Sequence, residues 1–132
     1  MTGGLRNFLR MNDKPQFSLR DRFKSFRYAG RGIIFALRTQ HNAWIHLFAA
    51  VVVCAAGFYL QINTTDWRWI IMAICLVWFA ELMNTAFEYL CDVISPEFHI
   101  SVKRAKDIAA GAVLICAIAA ALIGLSVFLP YS

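Results

Sequence analysis

Charged side chains are scarce in this sequence. Asp, Glu, Lys and Arg make up 16% of its 132 residues, whereas 60% of the residues are hydrophobic. A soluble domain of this length normally has about a quarter charged and about half apolar residues. The shortage of charge therefore argues against a nucleic-acid-binding protein and favours a single domain embedded in a membrane.

Several familiar motifs are also missing. The four cysteines form no Cys-x-x-Cys pair, so we expect small, reduced, apolar side chains rather than metal ligands. The sequence contains no G-x-x-x-x-G-K-[ST] loop and no protein-kinase signature, so a nucleotide site here would need another design. The first 42 residues are largely polar and basic, which predicts no cleaved signal peptide and membrane segments that insert uncleaved.

The basic residues that are present cluster towards the N-terminus. Nine of the 13 lie before residue 43, together with two of the eight acidic residues: Arg6, Arg10, Lys14, Arg20, Arg22, Lys24, Arg27, Arg31 and Arg38, with Asp13 and Asp21. A basic head on an apolar body indicates contact with an anionic membrane surface or with phosphate.

Three apolar segments follow, at about residues 43–62, 67–94 and 108–129. Each reaches the roughly 20 residues that a helix needs to cross the hydrocarbon core. Gln61–Asp66 is expected to form a short turn between the first two segments, and Ser95–Asp107 a longer polar loop between the second and third.

An amphipathic helix is predicted before the first span, at about residues 18–40. Phe23 and Phe26 fall on one side of its helical wheel and Arg20, Lys24 and Arg27 on another, as in helices that lie on a membrane surface. Residues 1–17 are expected to be a mobile basic tail. The prediction is thus an all-α membrane protein, with three transmembrane helices after an N-terminal amphipathic surface helix, in one domain at residues 18–132.

The positive-inside rule predicts the orientation. Lys103, Arg104 and Lys106 lie in the second connection, whereas the basic residue nearest the first connection is Arg68. The N-terminal arm and the second connection should therefore face the cytoplasm, with the C-terminus outside. This topology fits a multi-pass protein of a bacterial cytoplasmic membrane.

The second apolar segment carries a polar stripe, which we define as Glu81, Asn84, Glu88 and Asp92. At about 100° per residue these four side chains fall within about 80° on one face of a helix. Glu81 and Asp92 are about 16 Å apart along the axis, so Asp92 should lie near the cytoplasmic surface and Glu81 deeper. Carboxylates inside a span are costly and usually mark a functional site.

Two explanations of this polar stripe remain open at this point. One is structural: an interhelical ion-pair or hydrogen-bond cluster. The other is functional, because the third segment supplies no cation and the first has only His46 as its main polar interruption. Mg²⁺ accepts one or two carboxylates together with phosphate oxygens, and a deep Glu81 could take a proton from a hydroxyl during attack. This arrangement indicates phosphoryl transfer to a lipid hydroxyl.

A second class of function uses the same carboxylates without catalysis. Intramembrane carboxylates also serve cation pathways and non-catalytic membrane subunits. Such a protein would show cation-dependent flux or stability but no turnover of ATP.

The motifs "ELMNTAFEYLCDVISPEFH" and "AKDIAAGAV", with "FKSFRYAGRGIIFALRTQHNAWIH" before them, resemble the prokaryotic diacylglycerol kinase and undecaprenol kinase family. The resemblance covers roughly residues 23–129. It implies a small membrane lipid kinase, usually a homotrimer, that uses Mg²⁺ and ATP without a P-loop.

The resemblance also implies roles for individual residues. Glu81 would be the general base, Asn84 would position the reacting groups, and Glu88 would bind the metal, while Asp92 would orient its neighbours. The remaining residues would contact the nucleotide: Tyr28, Glu97, His99, Lys106 and Asp107.

One position departs from the family pattern. The family has a glutamate as a second metal ligand where this sequence has Gln40, in "TQHN". Glutamine offers a carbonyl oxygen but no charge, so metal affinity could fall or activity could be weak, and the neighbouring His41 is a soft substitute for Mg²⁺. The motifs "RTQHNAWIH" and "AKDIAAGAV" resemble the undecaprenol kinase branch more closely, which favours undecaprenol over diacylglycerol as the substrate.

Overall fold

The computed structural model describes residues 18–131, and the predicted tail at residues 1–17 lies outside them. The described residues contain four α-helices: α1 (Leu19–Thr39), α2 (His41–Tyr59), α3 (Thr64–Ile94) and α4 (Ile100–Phe128), with a short 3₁₀ turn at Leu129–Tyr131. Three of them, α2, α3 and α4 with its 3₁₀ extension, are long and apolar enough to cross a membrane. The predicted all-α membrane fold is therefore confirmed.

The described chain divides into two compact units, residues 18–32 and 33–131. The first unit contains most of α1, where Phe23 and Phe26 are about three-quarters exposed. Lys24 bonds Asp21 one turn earlier, at 3.1 Å from Nζ to Oδ1, on the polar part of the helix. Aromatic side chains beside basic ones suit a helix that lies at a membrane interface.

The second unit is built around α3. Both α2 and α4 pack on this central helix. The last part of α1 also reaches it, because the rings of Phe35 and Tyr89 lie 5.1 Å apart between centroids. At 31 residues α3 is longer than the roughly 20 residues that cross a bilayer core, so part of it can project beyond the hydrocarbon.

The connection between α2 and α3 is tight. Gln61 has a positive φ of 52°, and the Ile62 backbone N–H donates to the Gly57 carbonyl at 3.1 Å. Asn63 caps α3, since its side chain accepts from the backbone N–H of Asp66. This end of the unit also holds an apolar core of Ile62, Ile70 and Val127.

The C-terminal turn closes over the same connection. The Tyr131 hydroxyl donates to Asp66 Oδ2 at 2.8 Å and accepts from the Asn63 backbone N–H at 3.1 Å. The hydrogen bonds join the last described turn to the start of α3. This end of the structure is therefore held by both apolar packing and a small polar cluster.

The connection between α3 and α4 differs from the sequence expectation. A polar loop was expected over Ser95–Asp107, but α4 begins at Ile100, so the loop is only Ser95–His99. His99 caps the helix, with Nδ1 accepting from the Ser101 backbone N–H at 3.2 Å. Hydropathy marks the part of a helix that lies in lipid, whereas the hydrogen-bonded helix itself continues into its polar first turns.

Candidate active site

Three residues of the polar stripe come together inside the second unit. Glu81 is 1% exposed, Asn84 is also buried, and Glu88 is half-buried. Asn84 Nδ2 donates to Glu88 Oε1 at 3.1 Å. The helical spacing of α3 thus places an amide and two carboxylates side by side, with Glu81 in the most enclosed position.

This part of α3 contains buried polar atoms that need partners. Within residues 18–131, Glu81 Oε2, Asn84 Oδ1 and Thr85 Oγ1 are buried and make no hydrogen bond to the protein. Leaving such an atom without a partner costs about 1–3 kcal/mol. Three of them within two helical turns favour a site that binds polar groups over simple interhelical contact.

A histidine on α2 faces the buried carboxylate. His46 Nε2 lies 3.8 Å from Glu81 Oε2, and the His46 side chain is 16% exposed. The sequence identifies His46 as the main polar interruption of the first apolar segment and as the one candidate cation in it. A lone polar residue in such a segment was the available signal, but its partner becomes visible only when α2 and α3 are packed together.

The fourth residue of the polar stripe has a different environment. Asp92 is exposed and forms a close ion pair with Lys106, which comes from the second turn of α4. This contact brings two of the predicted residues together across the α3–α4 connection. It fixes the Lys106 ammonium group beside the polar end of α3.

The other predicted nucleotide residues are placed separately. Asp107 Oδ2 accepts from Lys103 Nζ at 2.6 Å, one turn away on α4. Glu97 and His99 are exposed in the loop, and the capping bond already uses His99 Nδ1. Tyr28 lies in the first unit and is 58% exposed. Within the second unit, the described residues form no hydrogen bond or ion pair that joins Glu97, His99 or Asp107 to the polar stripe.

Gln40 lies at the junction of α1 and α2. Its backbone is extended, with φ −111° and ψ 118°, and its side chain makes no capping bond to α2. Its backbone N–H donates to the Ala36 carbonyl at 2.8 Å, which ends α1. The junction therefore fixes the backbone of Gln40 while the half-buried amide has no role in capping.

The donor set fits Mg²⁺ only together with other ligands. No group of three or more His, Cys, Asp or Glu side chains forms a metal site in the described part of the chain. Mg²⁺ is commonly held by one or two carboxylates with waters and substrate phosphates rather than by a complete protein cage. Glu88 offers such a carboxylate, since the bond from Asn84 involves only its Oε1 atom.

An apolar cavity of about 810 Å³ lies next to this site, among α2, α3 and α4. Its lining includes His46 and Trp78 towards the polar stripe, and Ile70, Phe128 and Leu129 towards the other end. Small residues of α4 complete the wall: Ala117, Ala120, Ala121 and Gly124. A cavity of this composition suits hydrocarbon, whether from lipid or from another helix.

Comparison with known proteins identifies the family of this chain. The model of the prokaryotic diacylglycerol kinase family matches residues 27–128. An undecaprenol kinase of Bacillus subtilis is 43% identical over 82% of this chain and 88% of its own length. A diacylglycerol kinase of Synechocystis is 42% identical over 80% of this chain and 61% of its own length.

The similarity extends to more distant proteins. A diacylglycerol kinase of Escherichia coli is 35% identical over 56% of this chain and 57% of its own length. The family match includes all of α2, α3 and α4, and therefore the whole polar stripe. The chain belongs to the prokaryotic diacylglycerol kinase family, and it is a lipid kinase.

Proposed function

We propose that this lipid kinase transfers the γ-phosphoryl group of ATP to the primary hydroxyl of undecaprenol, with diacylglycerol as the next candidate acceptor. The observation that carries the proposal is the burial of Glu81 beside Asn84 and Glu88 on one face of α3. A carboxylate in such a place is costly, and it usually marks a site that serves a reaction or binds an ion.

Glu81 is the general base in this proposal. Its carboxylate accepts the proton of the lipid hydroxyl as the hydroxyl oxygen attacks the γ-phosphorus of ATP. The bond between that phosphorus and the β–γ bridging oxygen breaks, ADP leaves with the bond electrons, and the lipid monophosphate forms. The proton on Glu81 later passes to water, which restores the carboxylate.

Asn84 and Glu88 position the charged reactants. The Asn84 amide holds one oxygen of Glu88, which orients that carboxylate. Glu88, with the carbonyl oxygen of Gln40 as a weaker second donor, would hold Mg²⁺ together with phosphate oxygens and water. Bound there, Mg²⁺ would offset the negative charge of the transferring phosphoryl group.

Lys106 supplies a cationic side chain for the nucleotide in this proposal. Its ion pair with Asp92 fixes the ammonium group at the polar end of α3, where phosphates approaching Glu88 would pass. The other proposed nucleotide contacts are Tyr28, Glu97, His99 and Asp107. Lys106 and Asp92 therefore form the polar rim of the site, and Glu81 its interior.

The site faces the cytoplasm in this proposal. Basic residues lie on α1 and at the start of α4, whereas the connection from Leu60 to Asn63 carries none. The positive-inside rule then supports a cytoplasmic N-terminus, a cytoplasmic α3–α4 connection and an external C-terminus in a bacterial membrane. The homotrimer that the family resemblance implies stays a prediction.

A substrate panel tests the proposal. Purified protein in mixed micelles would receive Mg²⁺ and ATP labelled at the γ-phosphate, with undecaprenol or diacylglycerol as acceptor. An esterified undecaprenol, whose hydroxyl is blocked, is the matched control. We expect label in undecaprenol, less in diacylglycerol, and none in the ester.

The panel distinguishes an error in the proposed substrate from an error in the proposed reaction. Faster transfer to diacylglycerol would contradict the choice of substrate but not the chemistry. No transfer to either alcohol, by protein that is helical and monodisperse, would contradict the proposed reaction itself.

A further inference from the structure

His46 lies where it can orient the buried carboxylate. Its Nε2 atom is 3.8 Å from Glu81 Oε2, an oxygen that is buried and makes no hydrogen bond to the described residues. This separation is only about 0.6 Å longer than the upper limit of an N–H···O hydrogen bond, which is about 3.2 Å. The two atoms are therefore close enough for small side-chain movements to bring them into hydrogen-bond distance.

The other ionisable groups near Glu81 on α3 are acidic, so they cannot pair with its carboxylate. Along the polar stripe the neighbouring ionisable groups, Glu88 and Asp92, are acidic like Glu81 itself. Lys106 pairs with Asp92, about 16 Å further along α3. Among the residues that the structure describes, the side chain that lies close enough to pair with the Glu81 carboxylate is therefore the imidazole of His46.

The position of His46 in the fold also limits what else it can do. His46 lines the apolar cavity together with Ile45 and Ala49 and also lies beside Glu81, so it is at the boundary between the cavity and the buried carboxylate. A polar ring at such a boundary needs a polar partner, because a buried donor without one is costly. Glu81 Oε2 is the atom that can supply it.

We propose that His46 is a positioning residue for phosphoryl transfer: its Nε2–H donates to Glu81 Oε2 and so directs Oε1 towards the lipid hydroxyl. The inference rests on the proposed role of Glu81 as the base. One oxygen is held by the imidazole, and the other accepts the proton of the hydroxyl. A carboxylate fixed in this way loses less conformational freedom on reaching the transition state.

Substitutions that keep or remove the donor test the proposal. In His46→Gln the side-chain amide nitrogen can still donate to Glu81, whereas His46→Leu removes the donor and retains apolar bulk. Cys54→Ala, which changes a half-buried residue on the same helix, is the control. Each protein would be assayed for transfer to undecaprenol, with kcat and KM for ATP measured separately and the folded fraction determined.

We expect His46→Leu to lower kcat at least about tenfold, with KM for ATP within about twofold of the wild-type value. His46→Gln should recover most of the loss in kcat, and Cys54→Ala should match the wild type. In a Glu81→Gln background, His46→Leu should lower the residual rate no further, because its effect passes through Glu81.

Three results would overturn the proposal. One is a kcat per folded molecule for His46→Leu within about twofold of the wild type. Another is an equal loss in His46→Gln and His46→Leu. An inactive wild-type protein would remove the proposed function on which the inference rests. Should His46→Leu fail to fold, His46→Asn replaces it, because the shorter amide of asparagine does not extend to Glu81. Equal rates for His46→Asn and His46→Gln would then contradict the proposal.

Discussion

Glu81, Asn84 and Glu88 share one face of α3 but have different surroundings. Glu81 is enclosed and lies near a single imidazole, whereas Glu88 is half-buried and accepts a hydrogen bond from Asn84. An enclosed carboxylate suits proton transfer with a hydroxyl, and a more open one suits a hydrated cation. The difference in burial therefore underlies the division of roles that we propose.

Gln40 lies where the family resemblance implies a glutamate, and in our proposal its carbonyl oxygen is the weaker of two Mg²⁺ donors. We expect Gln40→Glu to lower the Mg²⁺ concentration for half-maximal activity by about threefold to tenfold, because carboxylates bind Mg²⁺ more strongly than neutral carbonyls do. The measurement is a Mg²⁺ titration of transfer to undecaprenol. The Mg²⁺-dependent rise in melting temperature, with ATP present, gives a second reading without catalysis.

The control for this substitution is Asn42→Asp. Gln40 precedes the first turn of α2, so a new negative charge there also interacts favourably with the helix dipole. Asn42→Asp adds a charge to the same turn at an exposed position. An equal shift in the Mg²⁺ titration for both variants, or none for Gln40→Glu, would contradict the assignment of Gln40.

At the residue scale, the sequence predicts which side chains lie together on one helix, but it does not predict the pairing of His46 with Glu81 between two helices. The helical period places Asn84 and Glu88 together, and they are hydrogen-bonded in the structure. The pairing of His46 with Glu81 depends on how α2 packs against α3, which periodicity does not encode. The sequence likewise does not predict that His99 caps α4, because this role depends on where the helix begins.

At the scale of elements, α4 differs most from expectation. Its apolar part was predicted, but the helix starts eight residues before the predicted span and carries Lys103, Lys106 and Asp107 on its first turns. This rigid extension fixes Lys106 relative to Asp92 more firmly than a loop would. The α2–α3 turn was predicted more closely: the expected turn was Gln61–Asp66, and α3 begins within it at Thr64, because Asn63 caps the helix.

The α2–α3 turn depends on the absence of a side chain at Gly57. A Cβ atom there would lie 2.9 Å from Trp67 Cη2 and 3.1 Å from Ile62 Cδ1. We expect Gly57→Ala to destabilise the protein by about 1–3 kcal/mol, the usual cost of overpacking. Thermal or denaturant unfolding in detergent micelles measures the change.

Gly111 on α4 provides the matched control. A Cβ atom at Gly111 would meet nothing within 4 Å. Gly111→Ala should therefore leave stability unchanged or raise it slightly, since alanine favours a helix more than glycine does. Equal stability of Gly57→Ala and the wild type would show that Trp67 can move aside without cost.

At the scale of the whole second unit, α3 connects two specialised ends. One end holds the apolar core and the hydrogen bonds of Tyr131, Asn63 and Asp66. The other end presents the polar stripe and the ion pair of Asp92 with Lys106. Rigid packing at one end and the polar stripe with its buried Glu81 towards the other are consistent with a helix bundle that supports a reaction near one membrane surface.

The central claim is that the buried carboxylate of Glu81 takes the proton of the lipid hydroxyl. It is tested most directly by the initial rate of phosphoryl transfer from labelled ATP to undecaprenol in Glu81→Gln. Glutamine keeps the size and most of the shape of the side chain but is no base. Met83→Leu, at an exposed position on the opposite side of α3 from Glu81, is the matched control.

We predict that Glu81→Gln lowers kcat by about 100-fold to 10,000-fold, the usual contribution of a general base, while folding and KM for ATP change little. Met83→Leu should retain the wild-type rate. A Glu81→Gln enzyme whose kcat lies within about tenfold of the wild type would contradict the account.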